Sequence, residues 1–361
     1  MKILHLIYDH MNNPWVGGGG AVRVYELCRR LAGRGHEITV VSGRYPEAVD
    51  YKEDGLQYKF VGSGRSYLLS TFSYAIRAAG FLKKHGNEFD LVVEDFAPWN
   101  PLFSRFLTKK PVVLHINHRE GFGIIRRWFV LGIPFFLIEA FYPKPFERIT
   151  ALSEGTKKKL KRPDAVVIPA GITPVPLPPG EIPETEKPKT PYIAYVGRLH
   201  IKNKGLDTLI GAMKGVDTKL VIVGRGRDEA KLKGMASSLK NVEFMGFLDE
   251  AGKLGAMKGA EIFVLPSRFE GWGIVVIEAA YCGTPVIVSD IPELSFALEG
   301  GFGVSFKKGD AKDLRDKINT LLGDEKLRRK MGENGRRYVQ DYTWDRIAEE
   351  YEKYLRGVCS P

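Results

Sequence analysis

The sequence predicts an α/β protein made of two doubly wound domains, and three observations carry that expectation. Its 361 residues exceed what one hydrophobic core usually serves. Short β-branched runs alternate with helix-patterned stretches in two separate series, the mark of parallel sheets covered on both faces. A proline-rich segment, TPVPLPPGEIPETEKPKTP, separates the two series and reads as a semi-rigid linker.

The first series places strands at 2–8, 38–42, 58–61, 90–94, 111–116, 148–152 and 165–168. The second places them at 192–196, 219–223, 242–244, 262–265 and 285–289. The expected organisation is therefore a first domain over 1–172, a linker over 173–191, a second domain over 192–340 and a closing helix over 341–361. That last helix is able to cross back onto the first domain. The opening MKILHLIYDH reads as a first strand: its apolar run is too short and too quickly polar for a signal peptide.

Composition narrows the class. With 44% hydrophobic and 27% charged residues and no long low-complexity tract, fibrous and disordered chains are excluded. Cys28, Cys282 and Cys359 are odd in number and far apart, so neither a disulfide framework nor a zinc spacing is present, and a reducing, cytoplasmic setting is expected. The charge is uneven. Residues 1–170 carry 25 Lys and Arg against 16 Asp and Glu, whereas residues 171–361 carry 29 against 27. A basic first half points to an anionic partner, or else to a solvated basic surface. The run WFVLGIPFFLIEAFY at 128–142 is flanked by Arg126, Arg127 and Lys144. At fifteen residues it is too short to span a bilayer. It reads either as a helix in the domain core or as one lying in a membrane surface.

Four groups of residues could carry chemistry. Gly17 to Gly20 sit between the first strand and a helix pattern, where backbone N–H groups can approach an anion. The run is not GxGxxG, and no acidic residue follows at the end of the second strand, which disfavours a dinucleotide site. Next, YVGRL (195–199) ends a strand in glycine, with Lys202, Lys204 and Gly205 just beyond. Arg198 can fork onto two phosphate oxygens while Lys204 supplies a point charge, or both are plain surface cations. PSRFEGWG (266–273) then precedes a helix carrying Glu278. Gly271 and Gly273 would present backbone amides to a phosphate, Glu278 could accept from paired ribose hydroxyls, and Glu270 would lie near a sugar. The bland alternatives are a surface Glu270 and a Glu278 buried in a salt bridge. Last, HINHRE (115–120) closes a strand at the edge where α/β sheets bind ligands, and its histidines could serve a sugar hydroxyl, a structural role or a metal. No Asp-x-Asp occurs, so anion stabilisation falls to Arg198, Lys204 and backbone amides.

GRL…KxKG, VGRG and EGWGIxxxEA followed by GTPV together resemble the retaining glycosyltransferases of family 4, which have the GT-B fold. RGHEITVVS, ALSEGTKKKL, VIPAGI and YTWDRIAEEY extend the similarity nearly end to end. The resemblance implies two Rossmann-like domains facing a deep cleft. It implies that Arg198, Lys204, Gly271, Trp272, Gly273 and Glu278 bind a nucleotide-sugar donor, with the loop at Gly18 and Gly19 closing over the reacting centre. Glu270 and His118 are the implied catalytic pair, and Arg225, Phe247 and Leu248 flank the base. Arg23, His115 and Arg119 fall on the acceptor side. A direct register puts Asn117 where the family commonly has His, leaving His118 or His115 to face the sugar, and Ala170 stands where Asn is usual. No cofactor and no metal are expected. The partners implied are the donor, an acceptor glycan or lipid-linked sugar and an anionic membrane face, with a peripheral location at the inner membrane. A nucleotide-sugar epimerase or a phosphorylase keeps the fold with other chemistry. A nucleic-acid-binding protein is the rival suggested by charge, though no recognition motif supports it.

Overall fold

The computed structural model describes residues 1–173 and 191–360. The expected linker falls, at 174–190, outside the described residues. The chain divides into two compact units: Met1–Ala170 with Trp344–Pro361, and Gly171–Thr343.

In the first unit the chain runs β1 (Lys2–Leu6), α1 (Gly19–Gly33), β2 (Glu37–Gly43), β3 (Tyr51–Glu53), β4 (Leu56–Val61), α2 (Tyr67–His85) and β5 (Leu91–Asp95). It continues through β6 (Val112–Ile116), α3 (Phe122–Trp128), α4 (Ile133–Phe141), β7 (Arg148–Ala151), α5 (Glu154–Leu160) and β8 (Val166–Val167). The sheet order is β3-β4-β2-β1-β5-β6-β7-β8, parallel except where β3 runs against β4. Every residue of β5 and β6 is buried, which is why both read as unbroken apolar runs.

The second unit holds β9 (Tyr192–Val196), α6 (Ile201–Lys204), α7 (Leu206–Ala212), β10 (Lys219–Val223), α8 (Glu229–Ala236), β11 (Val242–Gly246), α9 (Glu250–Lys258) and β12 (Ile262–Leu265). After them come α10 (Ile274–Cys282), β13 (Val286–Ser289), α11 (Phe296–Glu299), β14 (Gly303–Phe306), α12 (Ala311–Gly323) and α13 (Glu325–Tyr338). Its sheet is wholly parallel, in the order β11-β10-β9-β12-β13-β14. Two strands escaped the sequence reading. β3 is three residues with no apolar run, and β14, GVSF, opens on glycine and carries a serine.

The final helix, α14 (Trp344–Cys359), packs on α1 in the first unit. It buries Trp344, Ile347, Ala348, Tyr351, Leu355 and Val358, a stripe at helical spacing. Charges fix its other side. Glu352 accepts from the imidazole of His36 at 2.9 Å and from Arg34 at 3.1 Å and Arg356 at 2.7 Å. The His36 hydrogen bond, working against burial and helped by Arg356 and Arg34, holds the carboxyl down at about 2. Glu352→Ala is expected to cost about 2 kcal/mol, the worth of charge-assisted hydrogen bonds lost together. Because the folded pKa is depressed, this contribution is present above about 4.5 and fades as pH falls toward about 2. Urea melts of both proteins at pH 7 and pH 3 would check it: the gap between the two should be clearly smaller at pH 3.

Residues 128–142 do not form one helix, and only their end reaches the core, where Tyr142 is buried and Ile138 packs against it. After α3 the backbone turns through a 3-10 segment, Phe129–Gly132, before α4 begins with Pro134 in its first turn, where its missing N–H costs nothing. At Gly132 a Cβ would sit 2.7 Å from the carbonyl oxygen of Ile124, so only glycine permits this fold-back. The burial is inverted relative to a core helix. Phe129, Val130 and Leu131 are each about three-quarters exposed, while the one acidic residue, Glu139, is buried. Glu139 turns inward because its carboxylate accepts the N–H groups of Glu120 and Gly121, both at 2.7 Å.

Candidate active site

In open parallel sheets, ligands bind beyond the carboxyl ends of the strands. In the second unit that edge gathers four of the expected segments. Arg198 follows β9, Arg225 follows β10, Phe247 and Leu248 follow β11, and Glu270 follows β12. Arg198, Arg225 and Phe247 are exposed there.

Lys204 and Glu270 are brought together by a backbone approach that sequence spacing does not reveal. Gly205 has φ +64°, and a Cβ on it would fall 2.0 Å from the carbonyl oxygen of Pro266. The loop after β12 therefore lies directly on α6. Asn203 O accepts the N–H groups of Arg268 and Phe269, at 2.8 and 3.3 Å. The Arg268 guanidinium donates to Ile201 O, Asp207 and Thr208, at 2.8 to 3.0 Å. Held by these bonds, the loop lets Lys204 Nζ donate to Glu270 Oε1, which also accepts from the Ser267 hydroxyl at 2.7 Å.

Next in the chain, Gly273 takes φ +81° and caps α10 without a side-chain hydrogen bond. A larger residue there would press on Leu294, its Cβ 2.8 Å from Cδ2. The first turn of α10 contains no acidic residue; the Val276 N–H is spent on Gly273 O at 2.8 Å, so an anion there would meet the N–H groups ahead of it. Trp272 departs from expectation: its ring is buried against Phe296, with centroids 4.4 Å apart, and near Tyr342. Its ring packs inward, although the indole Nε1 is buried without a hydrogen-bond partner. Further along α10, Glu278 is nearly buried. Burial pushes its carboxyl up, and Lys253, donating to Oε1 at 2.8 Å, pulls the other way. Oε2 is buried without a hydrogen-bond partner. An orphaned buried acceptor costs about 1–3 kcal/mol, and a hydroxyl donor would relieve it. The salt-bridge and ligand readings of Glu278 thus hold for different oxygens of the same carboxylate.

The first unit has its own edge, at the ends of β1, β5 and β6. Gly18 is the N-cap of α1 and Gly19 its first residue. A Cβ on Gly20 would lie 3.6 Å from Asp9 Oδ2 and 3.8 Å from Asn117 Nδ2, so the helix start sits against Asn117. Asn117 is itself fixed: Nδ2 donates to Asp95 Oδ1 at 2.9 Å, and Oδ1 faces His115 Nε2 at 3.3 Å. Behind it, Asp95 Oδ2 pairs with His5 Nε2 at 2.5 Å, and His5 Nδ1 lies 3.6 Å from Cys28 Sγ. Burial opposes a charged His5, but the Cys28 sulfur and the Asp95 carboxylate outweigh it and hold the imidazole up at about 9. Burial and the Arg23 charge hold His115 down at about 3, so it stays neutral.

Two acceptor-side expectations, His115 and Arg23, are corrected, and Arg119 is partly engaged within its own unit. His115 is fully buried, with Nδ1 2.8 Å from the Thr150 hydroxyl, and acts as a strut under Asn117. Arg23 is buried beneath α14, donating to Ile168 O at 3.3 Å and lying 5.8 Å from the Tyr351 ring centroid. Arg119 is engaged by Lys159 O at 2.6 Å and by Glu139 at 3.7 Å. His115 and Arg23 are spent inside the fold, whereas the Arg119 side chain stays about one-fifth exposed. His118, by contrast, is exposed at the end of β6. Lys253, Ser267, Asp95 and His5 were not singled out from the sequence. Among the described residues no group of three or more His, Cys, Asp and Glu side chains is arranged to hold a metal ion.

Two family models match adjoining parts of the chain: Glycosyltransferase Family 4 over residues 17–175, and Glycosyl transferases group 1 over residues 181–338. The chain belongs to glycosyltransferase family 4. Phosphatidyl-myo-inositol mannosyltransferase of Mycobacterium leprae is 34% identical over 176 residues, 46% of this chain and 47% of that protein. A GDP-mannose-dependent monoacylated alpha-(1-6)-phosphatidylinositol monomannoside mannosyltransferase of Corynebacterium glutamicum is 34% identical over 182 residues, 46% of this chain and 48% of that one. The chain spans about half the length of the curated relatives it matches. Sucrose-phosphate synthase of Thermosynechococcus elongatus superposes with a TM-score of 0.85 at 21% identity, over 99% of both chains. The two Rossmann-like units of this family member are the GT-B fold.

Proposed function

We propose that this family 4 member is a hexosyltransferase that moves a sugar from a nucleoside diphosphate to a hydroxyl of a lipid-borne, anionic acceptor, with retention at the anomeric carbon. The observation that carries the donor half is the set around α10: an uncapped helix N-terminus, the Lys204–Glu270 pair beside it, and the orphaned Oε2 of Glu278. Lys204, Arg198 and the amides of Gly271 and Gly273 hold the diphosphate and take up the charge that grows as the C1–oxygen bond breaks. Glu278 accepts from the ribose hydroxyls, with Lys253 fixing its other oxygen. Glu270, oriented by Ser267, accepts from sugar hydroxyls. In the first unit, the start of α1 at Gly18 and Gly19 and the exposed His118, next to the fixed Asn117, are the groups this reading assigns to sugar transfer. The acceptor oxygen bonds to C1 from the face the leaving group departs, and its proton passes to that phosphate oxygen. The chemistry needs no metal in this reading.

Both named relatives act, by their names, on phosphatidylinositol lipids, and one is GDP-mannose-dependent; mannose from GDP-mannose is therefore the first donor to try. The outward apolar residues 129–131 and the basic first unit favour a peripheral place on an anionic membrane, at its inner face. Among the described residues no helix is long and apolar enough to cross a membrane.

A thermal-shift panel of GDP, UDP, ADP and their sugars, with and without EDTA, tests the donor site. A ligand at 100 times its Kd should stabilise the fold by about 2.7 kcal/mol. Stabilisation by one nucleoside diphosphate, unchanged by EDTA and absent in Glu278→Ala, is expected. No shift with any of them would remove the donor assignment. Flotation with anionic liposomes at low salt, lost at high salt, is the matching check on the membrane, and nuclear magnetic resonance of the product's anomeric proton decides retention.

A further inference from the structure

We propose that a groove on the first unit, between α4 and the 3-10 turn at Ser104–Phe106, is an acyl-chain site that takes one chain of an anionic bilayer lipid. The inference deepens the membrane reading above and rests on it.

The groove is apolar and of about 330 Å³. Phe103, Phe106, Leu137 and Phe141 form its walls, and Tyr142 and Phe146 form its floor. The four wall residues are between 45% and 70% exposed. Large apolar side chains gathered around an open groove mark a binding surface.

The groove is also built rather than collapsed. Tyr142 Oη donates to Glu94 Oε1 at 2.7 Å and accepts the N–H of Phe103 at 2.6 Å, while the Ser104 hydroxyl donates to Glu94 Oε2. Glu94 is fully buried, so this polar clamp lies under the floor and fixes the wall above it. Phe103 is held at φ +54°, a conformation rare outside glycine, asparagine and aspartate. The clamp keeps a strained aromatic residue facing outward, away from the core it would otherwise join.

Two features choose the occupant. Along α4, Ile133, Leu137 and Phe141 form one exposed stripe at four-residue spacing, continuous with Phe129, Val130 and Leu131. The groove therefore opens beside the segment that would dip into the acyl region of a leaflet. At its lip, Lys144 Nζ lies 4.3 Å from the Phe141 ring centroid, an exposed cation where a lipid's anionic head would rest.

The test uses the whole chain and soluble probes: cis-parinaric acid as a fluorescent acyl chain, with dodecyl phosphate and dodecyl maltoside as monomeric competitors. A single saturable fluorescence rise is expected. Leu137→Arg and Phe106→Asp should each weaken it by about tenfold or more, the worth of a few buried methylenes. Lys144→Glu should weaken competition by dodecyl phosphate and leave that by dodecyl maltoside unchanged. All three sites are exposed, so a nucleotide-induced thermal shift equal to that of the parent certifies the fold. No saturable rise in the parent, or equal binding by Leu137→Arg and Phe106→Asp, overturns the proposal. So does a concentration-dependent dimer, seen by light scattering, that the same substitutions abolish, because the groove would then be covered by a second copy. Liposome flotation reads the membrane assignment separately: flotation without saturable probe binding sinks the groove and leaves that assignment standing.

Discussion

Lys204→Ala is expected to lower kcat about 100- to 1,000-fold, the usual consequence of removing one preorganised group that stabilises transition-state charge. The ammonium sits where two needs meet. It pairs with Glu270, whose side chain is only 10% exposed, and it stands at the sheet edge that also carries Arg198 and the amides opening α10. Without it the Glu270 carboxylate keeps only the Ser267 hydroxyl, and a departing diphosphate loses a point charge that water must replace. Lys204→Arg should not restore the rate. Gly205 and the Pro266 carbonyl fix the backbone of α6 against the loop, so a longer planar head cannot reach Glu270 along the same path. The measurement is steady-state transfer with the donor found by thermal shift. Because Lys204 also holds the diphosphate of the bound donor, the donor Kd should rise too, and a fall in kcat larger than that rise is the expected signature of charge stabilised more strongly in the transition state. A variant with parental kcat would assign the leaving group to Arg198 and the helix amides alone.

What was legible in the sequence was what lies contiguous in it. The turn from β12 into α10 places Glu270, Gly273 and Glu278 within nine residues, and a motif of that length carries its geometry along the chain. The partners that complete the chemistry are set by packing. Lys253 reaches Glu278 across the contact of α9 with α10, 25 residues apart, and nothing in its local pattern marks it. Asp95 meets His5 over 90 residues and Asn117 over 22. The same limit misdirected the reading of Arg23 and His115. Polar residues near a motif look available, but β6 is buried along its whole length and α14 covers α1, so both side chains end inside. Residues 128–142 were readable as apolar and not as broken. Gly132 and Pro134 each tolerate a turn without demanding one, and the tight approach to Ile124 decides it. The inward Glu139 could not be foreseen, because its ligands are two backbone N–H groups of another loop.

Asp95→Ala should cost about 3–5 kcal/mol, enough to unfold a marginal domain, because it strands two buried cations at once. His5 and Arg23 are each about 1% exposed, and both raise the case for a negative charge at Asp95. Burial favours its neutral form, yet the charged His5 that bonds it and the Arg23 guanidinium hold its carboxyl well below the ordinary range. Asp95→Asn keeps the shape and can still face Asn117 and His5, so it separates charge from packing. Their pH dependences have opposite signs. His5, raised from 6.5 to about 9, contributes stability that is complete below 6.5 and lost as pH rises through 9. Asp95, depressed from 3.8, contributes stability present above that value and lost as pH falls below it. His115, lowered to about 3, stays neutral in the fold while the unfolded chain takes up a proton, which erodes stability as pH drops from 6.5 toward 3. Urea midpoints of the parent should therefore fall between pH 6.5 and 9 through His5. In Asp95→Asn the imidazole loses the carboxylate and keeps the Cys28 sulfur, so that decline should become shallower. A parent midpoint that holds steady from pH 6.5 to 9 would mean that His5 is neutral in the fold, and that the bond to Asp95 orders Asn117 by hydrogen bonding alone. The position of Asn117 beside the start of α1 would then be insensitive to pH, and transfer activity should share that flat profile.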